Sequence, residues 1–213
     1  MVPEYTTDGG KKWDAKGPTG TIDGTPVRGI VRRVLYQPGT NYWVAGTSQG
    51  QLWYTKDNAS NWHLLWEHPE TKVRPPVVNM SFAPTDGNVL YAVWGIGGAK
   101  AYTGITRIHL NLDPGSPPVA AFMGAGFPLN KTPRLIAGDA HDGNIAYVGT
   151  GSAGVYRWDA TKPYWSAWTS YNACLPMAVD VRDMLVDPTS KELRLATFGR
   201  GAWRVITGGS AIE

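Results

Sequence analysis

Apolar residues in this chain of 213 residues gather in short runs cut by Gly, Pro, Asn and Asp. The helical spacing i, i+3, i+4 is almost absent. Short apolar runs between turn residues predict strands. The runs recur in a unit of roughly 45 to 50 residues, the length range of multi-stranded repeats. Each unit opens with an apolar run ending in a turn, at 31–38, 77–84, 134–139 and 183–188. A second run follows at 42–47, 89–94, 145–150 and 193–197. After a Gly-bearing turn comes a third, with an aromatic, at 51–54, 103–110, 155–158 and 202–206. Fourth strands are expected at 13–15, 62–66, 119–123 and 165–168. The segments Val44-Ala-Gly-Thr47, Val148-Gly-Thr150 and Ala196-Thr197 align as one motif.

One stretch explains the joint between third and fourth strands. Tyr5-Thr-Thr-Asp-Gly-Gly-Lys-Lys-Trp13 returns as Tyr54-Thr-Lys-Asp-Asn-Ala-Ser-Asn-Trp62. An Asp at the head of a tight loop accepts hydrogen bonds from N–H groups two or three residues on, and Gly supplies φ > 0. Thr6, Asp8, Gly10 and Trp13, and again Thr55, Asp57 and Trp62, resemble the loop of the Asp-box (BNR, sialidase-type) β-propellers, Ser/Thr-x-Asp-x-Gly-x-x-Trp. Ala59 replaces the glycine in the second copy, so that loop must either strain or relax. At 112–118 the stretch is replaced by a longer, Pro-rich connection. In the following unit Asp159 and Trp165 survive, one residue too far apart.

The resemblance and the repeat together imply an all-β chain, a β-propeller of four-stranded antiparallel blades. Blades are expected at about 1–16, 28–67, 72–124, 132–170 and 181–207, some four and a half in all. The chain is read as one propeller domain, 1–213, or as the C-terminal part of a larger one. A strand edge left bare at such an end invites pairing, so another polypeptide, a second copy, or closure into a small five-bladed ring by the N-terminal strands is expected to complete the disc.

Composition sharpens this in three ways. The chain has 26 Gly, 16 Pro, 10 Trp and 10 Tyr but only 17% charged residues, an all-β signature. Its net charge of +3 is small and scattered, with Arg32-Arg33 the only adjacent arginine pair, which argues against nucleic acid. A lone Cys174 excludes an internal disulfide framework. No apolar run reaches membrane-span length and no signal peptide is evident. An extracellular or periplasmic setting is the expectation that the resemblance carries.

Candidate chemistry is sparse. The Phe/Tyr-Arg-Ile-Pro stretch of sialidases is missing, and none of the five glutamates pairs with a tyrosine recognisably. Asp139-Ala-His141-Asp142 is the one cluster of metal-type donors, and it reads as an Asp-rich turn rather than a metal or cofactor site. Asp8 and Asp57 are turn staples, not catalytic acids. Tyr164, Trp165 and Trp168 crowd near a loop, where flat aromatics stack on sugar rings or on a partner. Arg200, in Phe198-Gly-Arg-Gly-Ala-Trp203, is a further ligand candidate. The leading expectation is a non-catalytic module binding glycan or protein through loops on one face. A fragment of a sialidase- or xyloglucanase-like glycoside hydrolase is the alternative, and an architectural subunit the third reading.

Overall fold

A computed structural model describes residues 4–5, 14–70, 72, 74–95, 104–111, 116–128, 130–172, 175–176 and 178–207. Thr6, Asp8, Gly10 and Trp13, and with them the first copy of the loop motif, lie outside the described residues, as does Cys174. Among the described residues every regular element is a strand. The chain divides into two compact units, Met1–Val77 and Val78–Glu213.

In the first unit, β1 (Glu4–Tyr5) pairs with β2 (Asp14–Ala15), and β3 (Thr21–Ile22) with β4 (Thr25–Pro26). The second of these hairpins is an addition to the expected blades. Its Asp23-Gly24 turn has both residues at positive φ, 48° and 76°, the geometry that matches strand twist in a two-residue hairpin. A four-stranded antiparallel sheet follows: β5 (Val31–Tyr36), β6 (Trp43–Thr47), β7 (Gln51–Thr55) and β8 (His63–Glu67), in that order. Its Ala45, Trp53, Ala59 and Trp62 form a buried cluster, against which Ile22 and Val27 from the small hairpin pack.

The second unit holds three sheets. They are β9 (Val77–Ala83), β10 (Asp86–Trp94), β11 (Ile105–His109) and β12 (Val119–Phe122); β13 (Pro133–Gly138), β14 (Ile145–Thr150), β15 (Val155–Asp159) and β16 (Trp168–Ser170); and β17 (Val181–Val186), β18 (Glu192–Thr197) and β19 (Ala202–Ile206). The middle sheet shows why its strands read as continuous apolar runs. Along β14, Ala146 and Val148 enter the core shared with β10 and β11, while Ile145 and Tyr147 enter the core shared with β17 and β18. Period-2 alternation then places apolar side chains on both faces. In the last sheet, Leu193, Leu195 and Val205 face inward, whereas Leu185, Arg194, Ala196 and Ile206 are exposed on the other side.

One expected strand is displaced. The fourth strand of the third full blade begins at Trp168, not Trp165, and first pairs as Trp158↔Trp168. Asp159 N–H donates to Ala167 O at 2.9 Å, and Ser166 N–H to Pro163 O at 2.9 Å. These bonds close 160–167 into a loop and leave Trp165 outside the ladder.

Candidate functional site

The geometry of the motif loop is fully visible at Asp57. Asp57 Oδ1 accepts the Thr55 hydroxyl (2.6 Å) and the N–H groups of Ser60 (3.0 Å) and Asn61 (2.9 Å). Its Oδ2 accepts the Asn61 side-chain amide at 2.7 Å. The Thr55 hydroxyl and then the Asn61 donors hold the Asp57 carboxyl well below the usual carboxylate range. A carboxylate that takes four hydrogen bonds from its own loop is a turn staple. Ala59 sits at φ 64°, so the loop strains rather than relaxes at the missing glycine. Trp62 is buried, and its indole N–H donates to Lys16 O at 2.7 Å.

In the loop between β15 and β16 the same two jobs fall to Asp159 and Trp168. Asp159 Oδ1 accepts the Thr161 N–H (3.0 Å) and hydroxyl (2.6 Å). The Thr161 hydroxyl is the main cause that lowers the Asp159 pKa. Trp168 donates its indole N–H to Met123 O at 2.6 Å and meets Phe127 edge-on at 5.0 Å. Trp62 reaches back 46 residues for its acceptor and Trp168 reaches back 45. The shared reach identifies Trp168, and not Trp165, as the equivalent of Trp62. At 8% exposed, Trp168 is a packing residue and takes no part in a surface site.

Tyr164 and Trp165 are released by this substitution of anchors. They are 65% and 70% exposed and touch each other edge-to-face, with centroids 5.0 Å apart and planes at 83°. The loop beneath them is held at several points. Ala160 N–H donates to Asn144 O at 2.8 Å. Gly126, at φ +81°, comes so close that a Cβ there would lie 2.4 Å from Tyr164 O. Two large rings thus stand in solvent on a backbone with little freedom to fold them away.

The remaining candidates separate from this pair. Asp139 Oδ1 accepts the N–H groups of His141 (2.8 Å) and Asp142 (3.2 Å), and its Oδ2 accepts the Tyr147 hydroxyl at 3.0 Å. This is an Asp turn tied to the core, and no group of three or more metal-type donors occurs among the described residues. Burial, then the Asp139 charge, pushes the Tyr147 hydroxyl pKa up. Arg200 is exposed in the β18–β19 turn, its carbonyl accepting the Trp203 indole N–H at 2.8 Å. By strand direction, the aromatic pair follows the C-terminal end of a third strand, β15, whereas Arg200 precedes the N-terminal end of another, β19. The two lie at opposite ends of their blades.

The four-stranded sheets, their order and the stacking of inner strands define a β-propeller fold. No protein-family model and no curated protein matches the chain. Among solved structures it is similar to YCF48 bound to D1 peptide, with a TM-score of 0.62 at 17% identity over 99% of this chain and 59% of that one. It is also similar to the GH74 xyloglucanase from Xanthomonas campestris, with a TM-score of 0.58 at 15% identity over 85% of this chain and 29% of that one. The chain therefore spans less than two thirds of either neighbour. At these identities the likeness shows the fold alone.

Proposed function

We propose that this is an Asp-box propeller acting as a non-catalytic binding module, extracellular or periplasmic, with Tyr164 and Trp165 in its ligand-contacting surface. The carrying observation is that two neighbouring aromatic rings are held in solvent on a stapled loop. Preorganised aromatics lose little entropy on binding and present a flat apolar face to a sugar ring or to a partner's side chain. Both ligand classes have support in the fold neighbours, one a xyloglucanase and one bound to a peptide. Glycan is the class we favour, because edge-to-face rings offer adjoining flat surfaces.

Titration calorimetry against xyloglucan, other plant and bacterial glycans, and a peptide panel tests this. Trp165→Ala is expected to weaken glycan binding about tenfold, which is about 1.4 kcal/mol, with an unchanged melting temperature. Equal affinities for parent and Trp165→Ala would remove the proposal. A second reading, a piece of a glycoside hydrolase, takes its support from the GH74 likeness and requires two carboxylates converging on one cleft. Release of reducing ends from xyloglucan by the chain would put that reading in first place. The outward face of β17–β19, with Leu185 and Ile206 exposed, supports packing by another polypeptide or a second copy. Light scattering that returns a monomer at every concentration removes self-association.

A further inference from the structure

At the other end of the blades, three arginines occupy the same irregular position, the first being Arg32, left extra in β5 between Val31↔Thr47 and Arg33↔Gly46. Along β13 the register passes from Pro133↔Thr150 to Leu135↔Gly149, leaving Arg134 as the extra residue of a bulge. Along β17 it passes from Val181↔Thr197 to Asp183↔Ala196, leaving Arg182 extra. Bulges take a side chain out of strict alternation and re-aim it. The last two guanidiniums converge on Asp180: Arg134 Nη1 is 3.2 Å from Oδ1 and Arg182 Nη2 is 2.7 Å from Oδ2. One carboxylate serves two cations, which stay 41% and 52% exposed. Asp183, the next acid along the strand, turns its Oδ1 to the Met184 N–H at 2.8 Å.

Arg182 also lies over the ring of Phe198, 4.9 Å from its centroid, and Phe198 is 70% exposed. The turn that carries it is firmly built. Phe198 N–H donates to Asp180 O at 2.9 Å, and the Thr197 N–H and hydroxyl both donate to Gly201 O at 3.1 and 2.7 Å. Gly199 and Gly201, at φ +73° and +79°, have open space where a side chain would stand. Exposed Arg200 between them adds a third cation to the turn.

We propose that this end of the last blade recognises a peptide segment carrying a carboxylate beside an apolar or aromatic residue. A planar carboxylate suits guanidinium donors, and an exposed aromatic with arginine is the composition of a protein-binding hot spot. Inorganic phosphate would engage the arginines and leave Phe198 idle. A neutral apolar ligand would leave the excess positive charge unmatched. Asp180 is an internal competitor: it orients the guanidiniums in the free protein and shares them with the incoming carboxylate.

The test uses the 15N-labelled chain titrated with N-acetyl-phenylalanine and, separately, with its uncharged amide. The acid is expected to bind about tenfold more tightly and to move the amide resonances of 197–203. Arg182→Gln is expected to weaken the acid and leave the amide unchanged. Asp180→Asn, by removing the competitor, is expected to tighten the acid. Trp165→Ala should leave both unchanged, so failure here and failure of the aromatic surface are separate results. Equal curves for acid and amide in the unsubstituted chain overturn the proposal. So does tighter binding of inorganic phosphate or of a single-stranded oligonucleotide at these resonances.

Discussion

The loop at Asp57 and the loop at Asp159 begin alike and end differently. In the first, staple and anchor are five residues apart, Asp57 to Trp62; in the second they are nine apart, Asp159 to Trp168. Both staples accept a threonine hydroxyl at 2.6 Å, and both anchors donate an indole N–H to a carbonyl about one blade back. The short loop spends all its residues on the turn. The longer one has residues to spare, and Tyr164 and Trp165 are among them. Structure and recognition thus share one loop but use different residues of it.

The largest expected effect tests the anchors. Trp168→Ala and Trp62→Ala should each cost about 3 to 5 kcal/mol, as deletion of a buried tryptophan does, while Trp165→Ala stays within about 0.5 kcal/mol. Urea unfolding reads all three. A cost for Trp165→Ala as large as that for Trp168→Ala would return the anchor role to Trp165.

Next come the staples. Asp57→Ala should cost about 1 to 2 kcal/mol, by analogy with a lost helix cap, and Asp159→Ala less, since Asp159 accepts fewer bonds within its own turn. The same groups set an acid response. Both pKa values are lowered on folding, so their contribution is present above about pH 4, the unfolded value, and is lost as pH falls towards the folded values. A melting temperature measured from pH 6 down to strong acid should fall less steeply in Asp57→Ala than in the parent. Parallel curves would show that the carboxylate, though well bonded, is not coupled to folding.

The smallest effect belongs to Ala59→Gly. Relief of φ 64° is worth about 1 kcal/mol, but Ala59 is buried in the cluster with Trp53 and Trp62, and its methyl contributes about 0.8 kcal/mol. A net gain under about 0.5 kcal/mol is expected from thermal melts. A clear loss would show that the methyl contact outweighs the strained turn.

Much of the fold was legible because β6, β10 and β14 carry apolar residues for two buried faces and the turns between strands are marked by Gly, Asp or Thr. Thr47, Thr150 and Thr197, aligned as one motif by sequence, all place a hydroxyl in the turn that follows the second strand. The Asp23-Gly24 hairpin carried a signal too, in the dipeptide itself. Trp168 was misassigned because spacing was counted within the loop, whereas the anchor is defined by an acceptor on the preceding blade. The Arg134 and Arg182 pairing was invisible for a related reason. A bulge is a property of two strands in register, and neither strand alone shows it.

The tie from Trp168 to Met123 has a consequence for how such a chain diversifies. With both ends of a loop pinned, the entropy of closing it grows only with the logarithm of its length, about 0.6 kcal/mol per doubling. New side chains can therefore be tried between Asp159 and Trp168 at nearly constant stability, while the blades on either side keep their contacts. Variation is cheap at that point and expensive one residue beyond it.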